Sequence, residues 1–136
     1  MGISYLIQQN NNDNHQPYFK NDEICGHSHS FEKINEDKFI GPSCDDNYLS
    51  LFSISELKII KNITIDYKIN MIKYFDHKGI FLVVDNNRNI YVYRIDNYEL
   101  IQTIKNVDEY EMIVGIEELN TTLFITFGNY NKIWTF

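Results

Sequence analysis

The segment FLVVDNNRNIYVY (81–93) lies without a gap over FITFGNYNKIWTF (124–136), 43 residues further on, and this recurrence constrains the fold more than any other feature. Self-similarity at a fixed period marks one supersecondary module that buries its apolar face only by stacking on its neighbours. Phe81 falls on Phe124, Asn86 on Asn129 and Ile90 on Ile133, so each copy reads as strand, tight turn, strand. Upstream, FIGPSCDDNYLSLFSI (39–54) fits the same template at an offset of 41, with Leu49 on Ile90 and Phe52 on Tyr93. The linking stretch LKIIKNI (57–63) resembles IQTIKNV (101–107) at an offset of 44, which makes the repeat four strands long.

Side-chain alternation supports the strands. In NIYVYRI (89–95), Ile90, Val92 and Arg94 point one way and Tyr91, Tyr93 and Ile95 the other. FLVV is apolar on both faces, as a central strand covered on both sides requires. Asp85-Asn86-Asn87, Asp45-Asp46-Asn47 and Gly128-Asn129 supply turn residues that tolerate positive φ. Alanine, the best helix former, is absent, while Ile, Tyr, Phe and Val crowd the second half. The expected fold is all-β: antiparallel four-stranded blade-like repeats, about three of them, in residues 26–136. Residues 1–25 are expected to hold a short strand at ISYLI (3–7) and an Asn/Gln-rich loop at QQNNNDNHQP (8–17), too polar to bury a core of its own.

A period of ~40 to 45 residues with four strands per repeat and a Gly-His near one repeat's start resembles the WD-repeat family of β-propellers. Gly26-His27 matches the family's Gly-His, Asp46 its Asp between the second and third strands, and Phe52-Ser53 sits where Trp-Asp stands. The resemblance implies that His27 and Asp46 belong to a buried hydrogen-bond network that locks the repeat, a structural role. Phe52, Tyr93 and Phe136 hold the Trp place in the three repeats. In the second and third, the Gly-His place holds Asn62-Ile63 and Asn106-Val107, and the Asp place Asn87 and Tyr130, so both ends of the network are absent together. Closed propellers have about 4 to 8 blades. About three repeats, the last stopping before its fourth strand, imply that the missing strand comes from residues 3–7 or from another copy of the chain in a homo-oligomer, or that the chain is a fragment of a longer propeller.

A net charge of −7, from 12 basic and 19 acidic residues, with Arg only at 88 and 94, excludes a phosphate-binding face and hence nucleic acid as partner. No run reaches the ~18 apolar residues of a membrane span and no signal peptide is recognisable, so a cytoplasmic protein is expected. Leu6 stands where a myristoylation signal needs Ser or Thr. Cys25 and Cys44 are too few for a disulfide framework.

Cys25, His27, His29 and Cys44 form C-x-H-x-H plus a distant Cys, four ligand types that tetrahedral zinc accepts. Their alternate spacing departs from paired C-x-x-C sites, so a loop with a buried His27 is expected, with no metal or other cofactor. Asp45-Asp46, Glu117-Glu118 and Asp76-His77 are acid–base candidates that fall in turns, where solvated acids are the rule. No phosphate loop or nucleophile elbow accompanies them. Trp134, Tyr91 and Tyr93 are expected in cores rather than at a recognition surface. The sequence therefore predicts a non-enzymatic protein-interaction scaffold whose turns 45–47, 76–79, 85–89 and 117–121 form an acidic rim suited to a basic protein partner. The rival is a small metal-dependent or hydrolytic enzyme centred on residues 25–29.

Overall fold

The computed structural model describes residues 31–43, 47–105, 113–120, 122–128 and 131–135, and the backbone of 8–11 and 14–17. His27, Asp46 and Phe136, the ligand set Cys25, His29 and Cys44, and the strand expected at residues 3–7 lie outside the described residues. Two compact units divide the chain, Met1–Tyr67 and Lys68–Phe136.

In the first unit, β1 (Gln8–Asn11) pairs antiparallel with β2 (Asn14–Pro17), from Gln8 opposite Pro17 to Asn11 opposite Asn14. This corrects the reading of 8–17 as a loop. Polarity decides whether a segment can build a core, but neighbouring backbone groups satisfy one another by local pairing whatever their side chains.

The same unit holds a four-stranded antiparallel meander of β3 (Glu32–Lys33), β4 (Lys38–Pro42), β5 (Tyr48–Ser53) and β6 (Lys58–Thr64). Phe39 and Phe52 are cross-strand partners whose rings stack at 4.9 Å, and Phe31 packs edge-on against Phe39. The Phe31 ring lies directly over Gly41, which explains a glycine inside a strand: a Cβ there would collide with the ring. Phe52, expected at the Trp place, is thus a core aromatic, and Ile40, Leu49 and Leu51 on the other face are buried as well.

The second unit repeats this build in β7 (Ile69–Phe75), β8 (Ile80–Asp85), β9 (Ile90–Arg94) and β10 (Leu100–Ile104). A third antiparallel sheet follows: β11 (Gly115–Glu118), β12 (Leu123–Phe127) and β13 (Lys132–Thr135). Every residue of β8 is buried, as the doubly apolar FLVV predicts. From one face Ile80, Leu82, Val84, Ile90 and Val92 join Phe75 in a core shared with Ile113, just before β11, and with Ile116 and Phe124 of the third sheet, with Trp134 packed against it. The indole N–H of Trp134 donates to the buried Thr126 hydroxyl at 3.1 Å, satisfying the polar tip of a core-facing ring. On the other face of β8, Phe81 stacks on its partner Tyr93 at 5.0 Å, as Phe39 does on Phe52.

The repeat extends to backbone irregularities. Extra residues interrupt the ladders at Ile60 and Ile101, 41 apart, each where the outer strand meets the third. Leu57 and Tyr98, also 41 apart, both take positive φ (54° and 59°) in the turns before the outer strands. Left-handed backbone costs a leucine roughly 1 kcal/mol, and Leu57 is 42% exposed, so it gains little from burial in return. Leu57→Asn, a residue that tolerates this conformation, is expected to raise the unfolding free energy by about 0.5 kcal/mol; a loss of stability in urea denaturation would contradict this account.

Candidate functional site

Along each meander, the connections between first and second strands and between third and fourth strands share one end. In the second unit this places turn 76–79 beside turn 95–99, joined by the Ile95 amide donating to the Gly79 carbonyl at 2.9 Å. Ile54 to Asp37 is the same bond in the first unit, at 2.7 Å. There the Asp37 carboxylate also accepts from the Ser55 amide at 2.7 Å and the Ser53 hydroxyl at 3.1 Å. Ser55, through its hydroxyl and its amide, holds the Asp37 carboxyl below the usual aspartate range.

The first-to-second-strand turns are built alike in the first and third sheets. Asn35 Oδ1 accepts from the amides of Asp37 and Lys38, both at 2.9 Å. Asn120 Oδ1, 85 residues on, accepts from the amides of Thr122 and Leu123 at 2.8 and 3.0 Å. In both, two successive amides return to one carbonyl, Ile34 and Asn35 to Lys38 and Leu119 and Asn120 to Leu123. The second sheet places His77 at this position, inside a single 3-10 turn (Asp76–Lys78) closed by Gly79 at φ 59°. Sequence reasoning missed this equivalence because the second repeat holds His77 where the first and third hold Asn; the signal was the ~43-residue spacing of 35, 77 and 120.

Side by side, the second- and third-sheet turns leave an open cleft of about 490 Å³ lined by His77, Glu118, Leu119 and Asn120. Leu119 is 48% exposed at its wall. Asp76, Asp96 and Glu99 are exposed at the same end of the unit, with Lys78 half-buried among them. Glu117 faces away and pairs with Lys73 of β7 at 3.5 Å. The Asp76 carboxylate accepts from the Tyr74 hydroxyl at 3.2 Å. Burial, together with that bond to Asp76, pushes the Tyr74 phenol above its usual range. Among the described residues no three His, Cys, Asp or Glu side chains converge as metal ligands, and no helix is long and apolar enough to cross a membrane.

The opposite end of the unit differs. Turn 85–89 was expected to add to the acidic rim, but its carboxylate points inward. Asp85 is 2% exposed and accepts from the amides of Asn87 and Asn89, the Asn89 side chain and the Tyr91 hydroxyl, at 2.8 to 3.0 Å. The second repeat therefore does carry a buried aspartate network, two residues before Asn87, where the family pattern had placed its loss. The rim is thus split: 76–79 and 118–120 flank one end, 85–89 lies at the other, and Asp45 and Asp46 of turn 45–47 fall outside the described residues. Tyr93 is buried against Phe81 and Trp134 packs half-buried against the core, whereas Tyr91, expected in a core, is half-buried and donates its hydroxyl to Asp85.

No family model matches the sequence, and no curated protein does. Solved structures do match. Hsv2 of Kluyveromyces lactis, a β-propeller protein, superposes with a TM-score of 0.56 at 11% identity, over 77% of this chain and 32% of its own. Its form with complete loop 6CD gives 0.54 at 12%, over 74% and 30%. The form with loop 6CD replaced by a Gly-Ser linker gives 0.51 at 11%, over 74% and 32%. The chain spans about a third of the length of these structures. At such identity the likeness concerns the fold alone: this is an all-β chain of propeller-like, blade-like sheets.

Proposed function

We propose that the chain is a non-catalytic protein-interaction module of WD-repeat-like build, and that it meets a basic partner through the turn end of its second unit. Fold alone does not decide function, so the reading rests on the site. The observation that carries it is the cleft between turns 76–79 and 118–120, where an exposed Leu119 stands beside Glu118 on a chain of net charge −7. A lysine or arginine side chain suits that combination: its aliphatic stem lies on the leucine while its head meets the carboxylate. Asp76, Asp96 and Glu99 extend the negative field that would steer such a partner in.

A ten-residue peptide of Lys, Arg and Gly, titrated calorimetrically into the full chain, tests this. Glu118→Lys and Asp66→Lys change the net charge equally, but Asp66 is an exposed acid of the first unit. Glu118→Lys is expected to weaken binding about tenfold and Asp66→Lys by less than about threefold. Equal losses from both would mean the peptide senses only overall charge, and the cleft assignment would be lost.

A further inference from the structure

We propose that the cleft between turns 76–79 and 118–120 recognises a peptide main chain as well as a basic side chain, a proposal that rests on the basic-partner reading above. In it, Asn120 donates its side-chain amino group to a backbone carbonyl of the partner, and Glu118 accepts from the basic head.

The orientation of Asn120 is set inside its own turn. Asn120 Oδ1 accepts from the Thr122 amide at 2.8 Å, the Thr122 hydroxyl at 3.0 Å and the Leu123 amide at 3.0 Å. A backbone N–H can only donate, so the two amides fix which end of the carboxamide faces them. The oxygen is committed to the turn, and Nδ2 is left on the far side. Asn120 is exposed, lines the cleft, and has no partner for Nδ2 among the described residues. It therefore offers a ligand two donors and no acceptor. His77, from the other turn lining the cleft, keeps at least one ring N–H whatever its protonation state.

Glu118 supplies the acceptor. Its half-buried carboxylate meets no cation among the described residues, whereas the adjacent Glu117 is paired with Lys73. An anion is a poor match for the donors of this cleft, because Glu118 and the exposed Asp76, Asp96 and Glu99 repel it. A neutral acceptor held close to a cation fits. A basic peptide carries both, with a carbonyl at every residue beside its lysine and arginine heads, while a polyamine carries only the cation.

Spermine and a blocked Lys/Arg/Gly peptide of equal charge, each titrated calorimetrically into the full chain, separate the two contributions. The wild-type chain is expected to bind the peptide about fivefold more tightly than spermine. Asn120→Asp keeps an oxygen for the turn, since Asp forms the same local bonds, but replaces the two donors with a negative charge. It is expected to weaken peptide binding about fivefold without weakening spermine, although charge alone predicts tighter binding of both. Asn35→Asp makes the same change in the equivalent turn of the first sheet and should preserve the peptide's advantage. The wild-type comparison needs no variant, so it decides the matter even where Asn120→Asp lowers the thermal midpoint. Equal wild-type affinities for peptide and spermine would overturn the proposal, as would an Asn120→Asp chain that holds the peptide as tightly as its parent. With Glu118→Lys still weakening both ligands, the basic-partner reading would survive that loss; peptide binding indifferent to Glu118→Lys would remove both.

Discussion

Asp85→Ala is expected to lower the unfolding free energy by about 3 kcal/mol, because it strands several donors in a place water does not reach. Four donors converge on this carboxylate, and three of them, the Asn89 backbone amide, the Asn89 side chain and the Tyr91 hydroxyl, belong to half-buried residues that hold the β8–β9 hairpin closed. Each buried donor left unsatisfied costs roughly 1 to 3 kcal/mol, and the exposed Asn87 amide is rehydrated at little cost. Asp85→Asn should lose less, since its remaining oxygen still accepts from the backbone while its new amino group faces donors at the other position. Tyr91→Phe, which removes a single bond, should cost about 1 kcal/mol. Urea denaturation gives all three values. An alanine variant within about 1 kcal/mol of the parent would show that the carboxylate is not the latch of this turn.

Asp85 also marks where the sequence ceased to be legible. The hydrophobic pattern was readable because burial imposes period-two alternation and stacking imposes a fixed repeat: NIYVYRI, FLVV and the offsets of 41 and 43 placed β8, β9, β12 and β13 correctly. The outer strands β6 and β10 were readable from LKIIKNI and IQTIKNV for the same reason. Polar locks obey no such period. A carboxylate at a hairpin's mouth is solvated or buried according to which amides the turn aims at it, and that geometry depends on residues such as Arg88, whose φ of 66° closes the turn. The sequence therefore presents Asp85 as an exposed acid of the rim and gives no sign of the roles of Asn35 and Asn120, each of which shapes the first-to-second-strand turn of its own sheet. The hairpin of β1 and β2 escaped notice because backbone pairing leaves little mark on composition.

The cleft was only half visible for a related reason. The sequence reads 76–79 and 117–121 as turns, whereas Glu117 and Glu118 belong to β11; strand direction along the meander decides which turns share an end, and a one-residue change in a strand's reach moves a side chain across the sheet. Glu117 and Glu118 are adjacent in sequence yet diverge, one to Lys73 and one to the cleft, because successive strand residues point to opposite faces.

Phe124→Ala is expected to cost about 4 kcal/mol, the other large effect in the molecule. Phe124 is 1% exposed and is the aromatic of the third sheet that enters the core between the second and third sheets. Its ring centroid lies 6.2 Å from that of Phe75 on β7 and 6.4 Å from that of Trp134 on β13, so it bridges the two sheets. Truncation removes the transferred apolar surface and leaves a void that β12, pinned on both sides by β11 and β13, collapses into only partly. Phe124→Leu refills most of that volume and should cost no more than about 1.5 kcal/mol. Because the indole of Trp134 packs on this ring, the alanine variant should also shift native tryptophan emission, while the indole's bond to Thr126 keeps it from swinging free. A penalty below about 1.5 kcal/mol for alanine would mean that the two sheets fold without sharing a core.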